Sequence, residues 1–152
     1  MRNLAAYHGN EQHNYPRAAE EILRSSAMLP DSRCIAVDCG SLICSSGDPA
    51  LIQQFLDFWP RFTEDVRNMP RMQLLRVRAL LALNKTEEAI KILTPDFSMP
   101  DIKEGELSVS ALWDEMYIQH LIKTENIDRD TARQSVKKRY PLPYTLDYRM
   151  HE

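Results

Sequence analysis

Residues 74–93 read Leu74-Leu75-Arg76-Val77-Arg78-Ala79-Leu80-Leu81-Ala82-Leu83-Asn84-Lys85-Thr86-Glu87-Glu88-Ala89-Ile90-Lys91-Ile92-Leu93, and this stretch decides the fold class. It predicts two helices and a short turn. The first runs from about Pro70 to Leu83. Asn84-Lys85 makes the turn, because Asn tolerates a left-handed backbone. Thr86 is then expected to cap a second helix over Glu87–Leu93, whose leading carboxylates suit the positive end of a helix dipole. Pro95 follows its end. Leu74, Leu75, Val77, Leu80, Leu81 and Leu83 surround most of the first helix. A helix that is apolar on most sides must be covered by more than one neighbour.

The same pattern extends upstream. Pro16 sits in the first turn of a predicted helix carrying Ala19, Ile22 and Leu23, which ends near Leu29-Pro30. A second helix is expected over about 32–45, with Asp31 or Ser32 as cap and Gly47 as stop. Asp48-Pro49 opens the next, with Leu51, Ile52, Phe55, Leu56 and Trp59, and Pro60 closes it. Pro16 to Pro49 is 33 residues and Asp48 to Thr86 is 38, the longer spacing taking in a linker between Pro60 and Pro70. Helix pairs repeating near 34 residues resemble a tetratricopeptide array. One amphipathic hairpin cannot cover its own apolar face, so neighbours stack. Small residues such as Ala19 and Ala89 allow close packing within the pairs. The expected fold is therefore all-α: a tetratricopeptide-like α-α superhelix of hairpins over residues 1–95, beginning inside a first repeat. Residues 96–152 are expected to form capping helices and an extended tail in the same continuous domain.

The C-terminal third departs from the repeat. Thr94–Glu106 reads as a loop with Pro95, Pro100 and Gly105. A helix is expected from Ser108 or Ser110 to Thr124, with Leu112, Trp113, Met116, Tyr117, His120 and Leu121 at helical spacing. Asp128 is expected to cap a last helix over Arg129–Arg139. Pro141 and Pro143 forbid regular helix beyond it. The tail 140–150 is apolar and aromatic enough to fold back as a cap.

Composition bounds the function. The chain has 152 residues, 19 Lys plus Arg against 22 Asp plus Glu, a net charge of −3, 43% hydrophobic residues and only 4 Gly. This fits one domain with a real core. The acidic balance argues against generic nucleic-acid binding, and so few glycines argue against a phosphate-cradling enzyme. The most apolar stretch is interrupted by Arg76 and Arg78 and is far shorter than the ~20 residues a membrane span needs. No apolar signal segment opens the chain, so a cytoplasmic location is expected. Cys34, Cys39 and Cys44 lack the close pairing of a zinc site. On a helix, Cys34 and Cys44 lie about 15 Å apart, too far for a disulfide, and Cys39 faces away from both.

Four segments together resemble a bacterial family of large proteins that join a glycosidase-like β-rich region of unknown function to a C-terminal tetratricopeptide array. They are Glu64–Arg71, Leu74–Leu83, Ile102–Glu106 leading to Leu112-Trp113, and Pro141–Met150. Members end in a Pro-rich stretch and Leu-Asp-Phe-Arg-Met; here Tyr148 replaces the Phe. The resemblance covers residues 60–150. It implies the excised tail of a longer protein or a short relative, and it assigns no sugar-directed activity to a chain without the β-rich region.

Few residues invite chemistry. His8, His13, His120 and His151 have no recognisable nucleophile or orienting carboxylate. Asp114-Glu115 and Glu87-Glu88 are sequence neighbours that point apart on a helix; Asp57, Glu64 and Asp65 read as a solvated linker face. Lys137-Lys138-Arg139 suits the negative end of its helix. Trp113, Tyr144 and Tyr148 read as core of the tail rather than a sugar platform. No catalytic residue, metal ligand or cofactor is expected. Arg71 and Arg78 are seven apart and share a face. In the register anchored on Ala89, that face lines the concave groove with Leu74 and Leu81, and the preceding repeat adds Cys34, Val37, Ser41 and Cys44. Two guanidinium groups on a partly apolar groove suit an acidic or C-terminal peptide, although plain solubility also accounts for them. The expected function is a helical-repeat interaction or scaffold module, not an enzyme. Its partner is a protein or peptide, including its own upstream domain or a second copy, and not nucleic acid or membrane. The alternative is an accessory domain of a carbohydrate-active protein.

Overall fold

The computed structural model describes residues 14–100 and 108–148. The expected N-terminal helix and turn over 1–13, His8, His13, the 102–106 segment, Arg149, Met150 and His151 lie outside the described residues. Among those described there are eight α-helices and two 3-10 turns and no strand, so the protein is all-α. Two compact units form, Met1–Leu83 and Asn84–Glu152. The division falls in the turn at Asn84, earlier than the boundary read from sequence at residue 95. The two helices read from residues 74–93 therefore belong to different units.

In the first unit, a short polar side chain caps the start of each of the first three helices. Helix α1 spans Tyr15–Met28, with Asn14 Oδ1 accepting from the Arg17 N–H. Helix α2 spans Arg33–Ser46; Ser32 Oγ accepts from the Ile35 N–H, and Gly47 ends it at φ 65°. Helix α3 spans Pro49–Phe58, with the Asp48 carboxylate accepting from the Ala50 N–H at 2.9 Å. A 3-10 turn, Trp59–Arg61, follows. The expected linker is more ordered than its prolines suggest. It holds a one-turn helix α4, Glu64–Arg67, anchored because Phe62 and Val66 are buried. Helix α5, Pro70–Ala82, runs to the turn where Asn84 takes φ 59°.

Helix α1 packs on α2, and α2 packs on both α3 and α5. Ile22, Ile43, Ile52, Phe55, Met72 and Leu75 form the centre of a shared core. Phe55, Phe58, Trp59 and Phe62 meet with ring centroids 4.9–6.3 Å apart, mostly edge to face, the geometry aromatic quadrupoles favour. Gly40 sits where three helices meet. A Cβ there would lie 2.9 Å from Leu75 Cδ1 and 3.1 Å from Phe55 Cζ. Its missing side chain lets α2 lie directly on α5 and α3.

The second unit contains α6, Thr86–Ile92, α7, Ser108–Glu125, and α8, Arg129–Arg139. Helix α6 packs on α7, and α7 on α8. Thr86 is not the cap expected of it: it is the first residue of α6, and its buried hydroxyl donates to Gln119 Oε1 at 2.9 Å. Gln119 in turn donates to Glu115, whose carboxylate receives the Arg129 guanidinium. One polar chain thus ties three helices. Asn126, at φ 51°, turns α7 toward α8. The Thr131 backbone N–H donates to Asp128, which caps α8 and keeps its carboxyl below the usual carboxylate range. Ile118, Leu121, Ala132 and Val136 fill the seam.

The tail folds back, but not through all its aromatics. Trp113 Nε1 donates to the Tyr140 carbonyl at 3.0 Å, and the Tyr140 ring stacks on Tyr117 at 4.2 Å. Leu146 is fully buried in a 3-10 turn, Tyr144–Leu146, and Thr145 Oγ1 donates to the Pro95 carbonyl. Tyr144 was expected in the core and is instead 92% exposed. In this short turn, burying Leu146 directs the side chain two residues earlier outward.

Three substitutions test this packing. Gly40→Leu forces bulk against Leu75 and Phe55 and should lower unfolding free energy by about 1–3 kcal/mol in urea titrations. Gly40→Ala should be the milder change, since a helix gain of about 0.5–1 kcal/mol offsets part of the shift that Leu75 and the Phe55 ring must make. Tyr140→Leu keeps apolar area but loses the ring stack, and should destabilise the second unit by about 1 kcal/mol.

Candidate functional site

The candidate site is the face shared by α2 and α5. The two helices lie side by side in the same direction. Cys34 and Met69 border one cleft at their starts, Gly40 meets Leu75 at mid-length, and Arg78 lies close enough to the Cys44 thiol to act on it. Equal levels on the two helices are about 35 residues apart, near the period of a stacked helix-pair repeat.

This arrangement brings together only part of the predicted set. Cys34 and Val37 line an open cleft of about 260 Å³ together with Arg33, Asp38 and Met69. Cys34 is exposed and Ser41 half-buried beyond it on α2. On α5, Arg78 is exposed and Arg71 half-buried. Leu74 and Leu81 are each only 4% exposed. They are interior residues, not the open groove walls expected from the repeat register, because α5 is covered on more sides than one. Cys44 is likewise interior, and its thiol donates to the Leu75 carbonyl at 3.7 Å. Arg33, Asp38 and Met69 were not read as groove residues. The near-34-residue spacing carries a partial signal for Met69: parallel helices offset by one repeat bring their starting residues to about one level.

Burial governs the thiols. It pushes the Cys39 thiol up to about 12, with the Ser26 hydroxyl holding the rise back. That hydroxyl is itself fully buried and makes no geometrically sound hydrogen bond, so the contact with Cys39 is a weak one. Burial pushes Cys44 up to about 11, opposed by the Arg78 charge. Cys39 and Cys44 therefore face different neighbours of α2, one toward α1 and one toward α5. All three cysteines are free thiols.

The remaining candidates are structural in their surroundings. His120 is half-buried and sits edge-on to Tyr117 and Tyr140 at 6.1 and 6.0 Å. Burial, with Tyr140 beside it, raises the Tyr117 phenol above its ordinary value. Trp113 is buried. Arg139 pairs with Glu125 and lies over the Tyr140 ring. Among the described residues, no three His, Cys, Asp or Glu side chains gather as a metal site, and no helix is long and apolar enough to cross a membrane. The chain matches no protein-family model, no curated protein and no solved structure.

Two outcomes follow for the thiols. In the folded protein a thiol reagent should modify Cys34 rapidly and the other two only after denaturant is added, read by mass spectrometry. Raised thiol values make the folded state prefer the protonated form. Their contribution to stability is full well below pH 9, where unfolded thiols are still protonated, and is lost as pH rises through 9 toward 11–12. Resistance to urea should therefore fall between about pH 8 and about 10.5, and Cys39→Ala/Cys44→Ala should flatten that slope.

Proposed function

We propose that this chain is an interaction module of stacked helical hairpins with tetratricopeptide-like packing, working by binding rather than by catalysis. Its ligand is a peptide segment of a protein partner, held on the α2/α5 face. The observation that carries the reading is the parallel contact of α2 and α5 at levels about 35 residues apart. In a helix-pair repeat, equivalent helices of successive repeats touch in this manner and present one common face.

The chemistry of that face supports an acidic segment with an apolar side chain. Val37 and Met69 supply apolar walls to the cleft, and Arg33 stands at its edge with Asp38 the opposing charge. Arg71 and Arg78, seven residues apart on α5, share one side of that helix, and Arg78 is exposed. Guanidinium groups pair bidentately with carboxylates, including a chain terminus, and the cleft admits one aliphatic side chain beside them.

Fluorescence anisotropy with a labelled set of acidic peptides having free C-termini tests the reading. At least one should bind, and Arg71→Glu/Arg78→Glu should weaken it at least tenfold, the loss of about 1.5–3 kcal/mol expected for charged hydrogen bonds. Failure of the whole set, or binding indifferent to both reversals, contradicts it.

A further inference from the structure

We infer that the outer face of α1 and α3 is a self-association surface whose occupant is the same face of a second copy of this chain. The face belongs to different helices from the peptide strip, and the inference does not rest on that strip.

Three observations converge there. Met28 and Leu29 are 65% and 52% exposed, two of the three large hydrophobic residues left open among the described residues, and they are adjacent at the end of α1. Beside them, α1 and α3 border a cleft of about 430 Å³ lined by Leu23, Ala27 and Phe58. Ala27, which lines the cleft, is itself exposed and directly precedes the open pair in the chain. Contiguous apolar surface on a folded domain marks an interaction site far more than scattered residues do.

The rim identifies the occupant. It carries Arg24 and Arg61, with Arg61 lying over the Phe58 ring at 4.8 Å. It equally carries Asp57, and Glu20 stands 3.0 Å from the Arg24 guanidinium. A strongly acidic or strongly basic partner would meet one attractive and one repulsive pair. A surface bearing the same balanced mixture about an apolar centre answers both signs at once under a two-fold rotation, the self-complementarity of an isologous contact. The apolar centre is modest, so the dimer is one that forms with rising concentration rather than an obligate assembly.

Sedimentation equilibrium of the full chain from about 5 to 200 µM tests this. The weight-average mass should rise from near 17.7 kDa toward twice that value. Ala27→Arg and Met28→Glu, both at exposed positions, should each hold the mass at the monomer value, with circular dichroism matching the parent chain. Gln134→Arg, exposed on α8, should dimerise like the parent. A parent chain monomeric throughout the range overturns the inference, and so does a dimer that survives either folded variant.

Discussion

The first unit depends on the absence of one side chain. At Gly40, α2 comes within van der Waals distance of both Leu75 on α5 and Phe55 on α3. Other contacts of that core surround the approach. Cys44 reaches the Leu75 carbonyl, and Phe55 meets Trp59 and Phe62. The inter-helix segment is pinned through Phe62 and Val66. Glycine inside a helix is intrinsically unfavourable by roughly 0.5–1 kcal/mol, so its presence in the middle of α2 is accounted for by packing.

The second unit is held differently. Its helices are joined by a polar chain from Thr86 through Gln119 and Glu115 to Arg129, together with an apolar seam and a ring stack between Tyr117 and Tyr140. Lys123, in the last turn of α7, donates to the carbonyl of Asn84, so the turn that opens the unit is secured by the helix crossing it. A hydrogen-bonded chain specifies a geometry more narrowly than apolar contact alone. The half-buried His120 completes an aromatic group whose contacts are those of packing.

Much of this was legible in the residues because starts and stops are local chemistry. Ser32, Asp48 and Asp128 accept the backbone N–H groups their positions implied, and Gly47 and Asn84 take the left-handed backbone. Thr86 has the same side chain as a good cap but found a partner across the unit, and nothing in the nearby sequence distinguishes the two fates. Leu74 and Leu81 fell on the predicted groove face by spacing. Spacing fixes which residues share a face and not whether that face is open. The same blindness placed Tyr144 in the core, whereas a turn of three residues buries only Leu146. Met69 and Arg33 joined the site through tertiary alignment of helix starts, which only the offset between helices encodes.

Helix α2 lies against α5 and α3 through Gly40. A nuclear Overhauser spectrum of methyl-labelled protein measures it directly. Strong contacts are expected from the Gly40 Hα protons to a Leu75 methyl group and to the Phe55 ring edge. Gly40 Hα protons without contact to either residue, in a protein whose other α2 signals are well resolved, would contradict it.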